Sequence, residues 1–133
     1  MAEHEQMWDV FMTGAEELAA ELGLEEPPAI FTVARAFPAV DAWLTQHVDP
    51  LDKDDTARLA GLLARVLVET HGGGLTKIAE RGHPLDGEWA LTMFGKGLAR
   101  DYHVPIVVSA VRIGIDREVG AVAWYKRVLK EGK

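Results

Sequence analysis

The stretch DTARLAGLLARVLVETHGGGL, residues 55–75, sets the strongest limits on how this chain can fold. Leu59, Leu62, Leu63, Val66 and Leu67 recur at the three- and four-residue steps that bring side chains onto one helical face. A face this wide belongs to a central helix, packed on a sheet or on other helices. The spacing therefore predicts a helix over 55–71, with Asp55 at the end of the polar run DPLDKDD as its N-cap. Gly72, Gly73 and Gly74 stop it. A glycine just past a helix adopts the left-handed conformation at no steric cost, and two more let the chain reverse into a strand.

The same glycines invite two chemical readings, and both lack their remaining parts. A His-Gly-Gly-Gly run can build an oxyanion hole, but an esterase also needs a nucleophile, normally Ser in G-x-S-x-G. Ser109, in VVSAV, is the single serine of the chain and has no flanking glycine. A phosphate-binding loop would need glycines before a helix and a following G-K-[ST]; here they come after one. There is no cysteine, which removes thiolate nucleophiles, disulfides and Cys-ligated zinc.

The rest of the chain reads as helices, a few short strands, then helices again. Trp8, Phe11, Ala15, Leu18 and Leu22 form one stripe of an amphipathic helix over 5–22, closed by Gly23 and barred from continuing by Pro27 and Pro28. Pro38 divides 29–48 into a short helix over 29–36 and a second from Pro38 onward, because proline disfavours helical geometry in the residue before it. Residues 75–80 fit a first strand. Residues 88–94 alternate as a second, with Trp89, Leu91 and Met93 on one face and Glu88, Ala90 and Thr92 on the other. Residues 98–104 fit a third.

The segment PIVVSAVRIGID suits a strand by its β-branched residues and a short helix by its leading proline, and the helix is the reading adopted. A last helix over 117–130 follows, capped by Asp116. With no linker or repeat, and with 48% apolar residues in 133, one α+β domain over 1–133 is expected: N-terminal helices, a small antiparallel sheet, C-terminal helices. A helix closed by glycines, a Trp-bearing strand and a proline-led helix together resemble small bacterial α+β domains, a likeness whose motifs carry no function.

Charge narrows the partners. The net charge of −7 divides unevenly, with thirteen acids against three bases in residues 1–60 and eight against eleven in 61–133. Without a basic cluster, nucleic-acid binding is not expected, because phosphate neutralisation supplies most of its affinity. The opening residues are acidic where a secretory signal would be basic, and no apolar run is long enough to cross a bilayer, so a soluble, cytoplasmic protein is expected.

The five histidines show neither H-x-H nor H-E-x-x-H spacing, so no metal and no cofactor is expected. The loop GHPLDGEW gathers His83, Asp86, Glu88 and Trp89; with His71 it could assemble a His/carboxylate site around the glycine turn. In the plainer reading Asp86 belongs to the turn, Glu88 faces solvent and Trp89 is core. Trp124, on the broad apolar face of the last helix, is a candidate contact for a partner. The leading expectation is a non-enzymatic protein-interaction module of regulatory, adaptor or immunity type, binding another protein or itself as a homodimer. The alternative is an enzyme or small-ligand domain using His71, His83, Asp86 and Glu88.

Overall fold

In the computed structural model, which describes residues 3–24, 31–47 and 49–133, the chain folds as one α+β domain. Its elements are α1 (Glu3–Glu21), α2 (Val33–Gln46), α3 (Lys53–His71), β1 (Gly74–Lys77), β2 (Trp89–Thr92), β3 (Val104–Pro105), α4 (Ile106–Gly114) and α5 (Ala121–Glu131). The sheet is antiparallel with β2 in the middle; Leu75 pairs with Leu91, and Leu91 with Val104.

Helix α3 is the central element the apolar pattern predicts. Leu59, Leu62, Leu63, Val66 and Leu67 are all fully buried, and each such side chain contributes about 1.5–3 kcal/mol by leaving water. Helix α1 lies against one side of α3 and α4 against another, while α5 packs on α2. The α1–α3 crossing is close because both helices present small residues: Gly14 faces the Arg58 backbone, and a Cβ on Gly61 would run into the Phe11 carbonyl. Helix α1 ends at Gly23 (φ 76°) in a Schellman arrangement, with the Leu24 amide donating to Ala19 O and the Gly23 amide to Ala20 O.

Several expected boundaries move. Pro38 does not divide a helix pair but sits inside the single helix α2, which begins at Val33 after a Thr32 cap; residues 29–30 lie outside the described residues. Losing one amide and crowding the preceding turn costs about 3 kcal/mol. Pro38 and Ala34 are exposed, so the carbonyl left without a donor faces water, while Ala36, Phe37, Val40, Trp43 and Leu44 bury the other face. Asp52, rather than Asp55, caps α3, its Oδ1 accepting from the Asp55 amide at 2.8 Å.

The third strand shrinks to Val104–Pro105, and α4 takes the proline-led stretch as a helix. Strand β2 ends at Thr92. Met93 turns to φ 61° and is exposed instead of sharing the Trp89–Leu91 face, and its amide donates to Arg100 O. Helix α5 starts at Ala121 rather than 117, because Arg117 takes a left-handed backbone (φ 54°) that ends any helix there.

Candidate functional site

His71, the last residue of α3, is 5% exposed and held at both nitrogens. Nδ1 lies 2.7 Å from Lys96 O and Nε2 lies 2.7 Å from the Tyr125 hydroxyl. A carbonyl oxygen only accepts, so Nδ1 carries the hydrogen, and in the neutral ring Nε2 accepts from Tyr125 O–H. The His71 carbonyl accepts in turn from the Gly95 and Lys96 amides, at 2.8 and 3.2 Å. Gly97 (φ 76°) passes so near that a Cβ would come 3.0 Å from His71 Nδ1. Burial raises the Tyr125 pKa above its ordinary value. The ring thus joins α3, the 95–97 turn and α5, with both nitrogens committed to the protein's own groups.

The glycines serve this join. Gly72 (φ 76°) closes α3 by donating to Val68 O at 2.8 Å. Gly73 (φ 96°) crosses β2 where a Cβ would come 2.6 Å from Thr92 O.

The 82–89 loop closes on itself. The His83 Nδ1 accepts from the Leu85 amide at 3.0 Å, and its Nε2 stands 4.0 Å from Glu80. The Asp86 carboxylate accepts from the Glu80 amide at 2.9 Å. Gly87 (φ 86°) and Glu88 together oppose Ile78: the Gly87 amide donates to Ile78 O and the Ile78 amide to Glu88 O. That is a bulge with glycine in the left-handed position. Glu88 is half-buried at this bulge. His71 makes its contacts with Lys96, Tyr125 and Phe94, on the α5 side, and is not brought to His83, Asp86 or Glu88 by any contact among the described residues. Among those residues no group of three or more His, Asp or Glu side chains is placed to hold a metal ion.

Trp89 and Trp124 are buried as well. Trp89 meets the His4 ring edge-on at 5.2 Å. Trp124 sits edge-on to Phe37 at 5.9 Å, so the apolar face of α5 is taken up inside the fold against α2.

A groove of about 390 Å³ borders His83, Glu80 and His103, and two larger ones lie along α1. One groove of about 600 Å³ is lined by Asp9, Val10, Thr13, Gly14, Glu17, Asp54, Ala57 and Arg58. A second, of about 470 Å³, is lined by His4, Glu5, Trp8, Asp9, Gly73 and the start of β1, Gly74–Leu75. Asp9 belongs to both. Val10 is 59% exposed at the first. Arg58 is spent locally, on Asp55 at 3.0 Å and Glu21 at 3.1 Å. Glu5, Asp9, Glu17 and Asp54 have no ion-pair partner among the described residues.

No family model, curated protein or solved structure matches this chain. Sequence reasoning passed over the α1 grooves, although one signal was present: Val10 is apolar and off the Trp8–Phe11–Ala15–Leu18 stripe, beside Asp9. The Tyr125 partner of His71 had no sequence signal, since it lies 54 residues away. No helix of the described residues is long and apolar enough to cross a membrane.

Proposed function

We propose that this chain is a non-enzymatic protein-binding module that presents the grooved, acidic side of α1 to a basic segment of another protein. The observation that carries this reading is the meeting of two grooves at Asp9, where carboxylates that lack ion-pair partners among the described residues border an exposed apolar side chain. Uncompensated carboxylates steer and orient a cationic partner, and the apolar floor supplies area that leaves water. Much of the acid excess of residues 1–60 lies on α1 and at the start of α3. Self-association through this face would press like charges together, so a basic partner fits better than a second copy.

The test is site-specific crosslinking. A photoreactive phenylalanine derivative at position 10 should capture one protein in cells, and the same group at Lys130 should not. Capture should fall in Asp9→Lys and Glu17→Lys variants and with added salt, because exposed charges are screened over about 8 Å at physiological ionic strength. Equal capture from position 130, insensitivity to charge reversal, or crosslinks to a second copy would each overturn the reading.

A further inference from the structure

The second groove borders the start of β1, at Gly74 and Leu75. At the bulge, Ile78 turns its amide and its carbonyl toward β2. Hydrogen-bonding direction alternates along an antiparallel strand, so Gly74 and Thr76 also bond to β2, opposite Thr92 and Ala90. Leu75 and Lys77 then point their amides and carbonyls outward. The other side of β2 obeys the same alternation: Met93 donates to Arg100 O, and Pro105, which has no amide, falls opposite Ala90, which bonds the other way. Among the described residues nothing accepts from or donates to the Leu75 and Lys77 backbones on that outer side.

The edge and the helix beside it share a spacing. Successive outward residues of a strand are about 6.6–6.8 Å apart. Glu5 and Asp9, one turn apart on α1, stand about 6 Å apart along the helix axis, and both line the groove that Leu75 borders. The Lys77 side chain is bonded to Glu3 at 3.1 Å and lies 5.5 Å over the Trp89 ring, on the α1 side, so its own charge is compensated there.

We infer that the outer edge of β1 accepts a short, extended, basic segment of the partner protein as a fourth strand, its alternate cationic side chains reaching Glu5 and Asp9. Backbone pairing to Leu75 and Lys77 supplies up to four hydrogen bonds, and alternate side chains supply the selectivity. Lysine or arginine stems cross Trp8 before their charges meet the carboxylates. The inference rests on the acidic-face reading above, and adds to it the backbone conformation of what binds.

The probe is the capped peptide Lys-Val-Lys-Val-Lys, compared with the same peptide N-methylated at every residue, which keeps the charge and cannot pair as a strand. At saturation the unmodified peptide should slow amide exchange of Leu75 and Lys77 about tenfold or more and leave Gly74 and Thr76, already paired, nearly unchanged. N-methylation should weaken binding at least about tenfold, the loss expected for two or more hydrogen bonds. Asp9→Lys should weaken it as well. Equal binding of both peptides without protection of Leu75 and Lys77 overturns strand addition; if that binding is still lost in Asp9→Lys, the acidic-face reading survives alone. Failure of the unmodified peptide to bind overturns strand addition too, and the crosslinking from position 10 then decides the acidic face separately.

Discussion

The carboxylate of Asp41, in the middle of α2, accepts from the backbone amide of Ala121 at 2.6 Å and so caps α5 from eighty residues away. Its second oxygen lies 3.3 Å from the Val122 amide. Gly120 makes the approach possible, because a Cβ there would come 2.7 Å from Asp41 Oδ1. The joint is reciprocal. The Arg117 guanidinium donates to Leu44 O, His47 O and Asp49 O at 3.0–3.1 Å, serving carbonyls at and just past the C-terminus of α2. One carboxylate thus meets the amide end of a helix and one guanidinium the carbonyl end of another, each the sign that the helix dipole favours.

Replacing the cap tests this joint. Asp41→Ala should cost about 1–2 kcal/mol, the usual range for a lost N-cap. Asp41→Asn, which keeps an accepting oxygen, should retain most of that stability. Urea unfolding of the three proteins measures the difference, and an unchanged midpoint in Asp41→Ala would show the cap contributes nothing.

Tyr125→Phe should destabilise by about 1–3 kcal/mol, because it leaves the buried His71 Nε2 without its donor. His71→Phe fills the space but strands the Lys96 carbonyl and the Tyr125 hydroxyl, and should cost at least as much. In a double-mutant cycle the two effects should be strongly non-additive, since both remove the same bond.

Gly61→Ala should destabilise by about 1–3 kcal/mol through overpacking, although alanine is the better helix former. The added carbon meets the Phe11 carbonyl, so α1 must shift away from α3. Gly74→Ala is the control: an added Cβ there meets nothing within 4 Å, and its thermal midpoint should barely move.

Alkaline pH should lower the stability of the protein through its two tyrosines. Burial raises the Tyr102 pKa, and the Glu131 charge and a hydrogen bond to Glu131 raise it further; burial raises Tyr125. The unfolded chain therefore loses these protons first, near the ordinary value of about 10. Their contribution is intact below that pH and is lost as pH rises through the higher folded values. Urea midpoints at rising pH should fall less in a Tyr102→Phe/Tyr125→Phe double variant than in the parent, and equal slopes would remove the tyrosines from the account.

Wherever the apolar pattern ran unbroken, it was enough to place an element. The Leu59–Leu67 face, the Trp8–Leu18 stripe and the glycine stop after His71 became a central helix, an amphipathic helix and a C-cap, because burial of one face and the steric freedom of glycine act within a few residues. The helix chosen for PIVVSAVRIG belongs with these. Where a local preference met a distant partner, the partner decided. Pro38 stayed within α2 because that helix buries Phe37 and Val40, and α5 began at Ala121 because Asp41 reached its first amides.

The site divides in the same way. His71 could be flagged from sequence by its place before three glycines, but its bonds to Lys96 and Tyr125 arise from chain segments 25 and 54 residues off. The grooves along α1 exist only because α3 and β1 lie to either side of it. Local sequence determined which segments coil and where they stop, since those energies act between near neighbours. Tertiary contact alone decided which polar groups were consumed in holding the fold and which carboxylates and strand edge were left facing water.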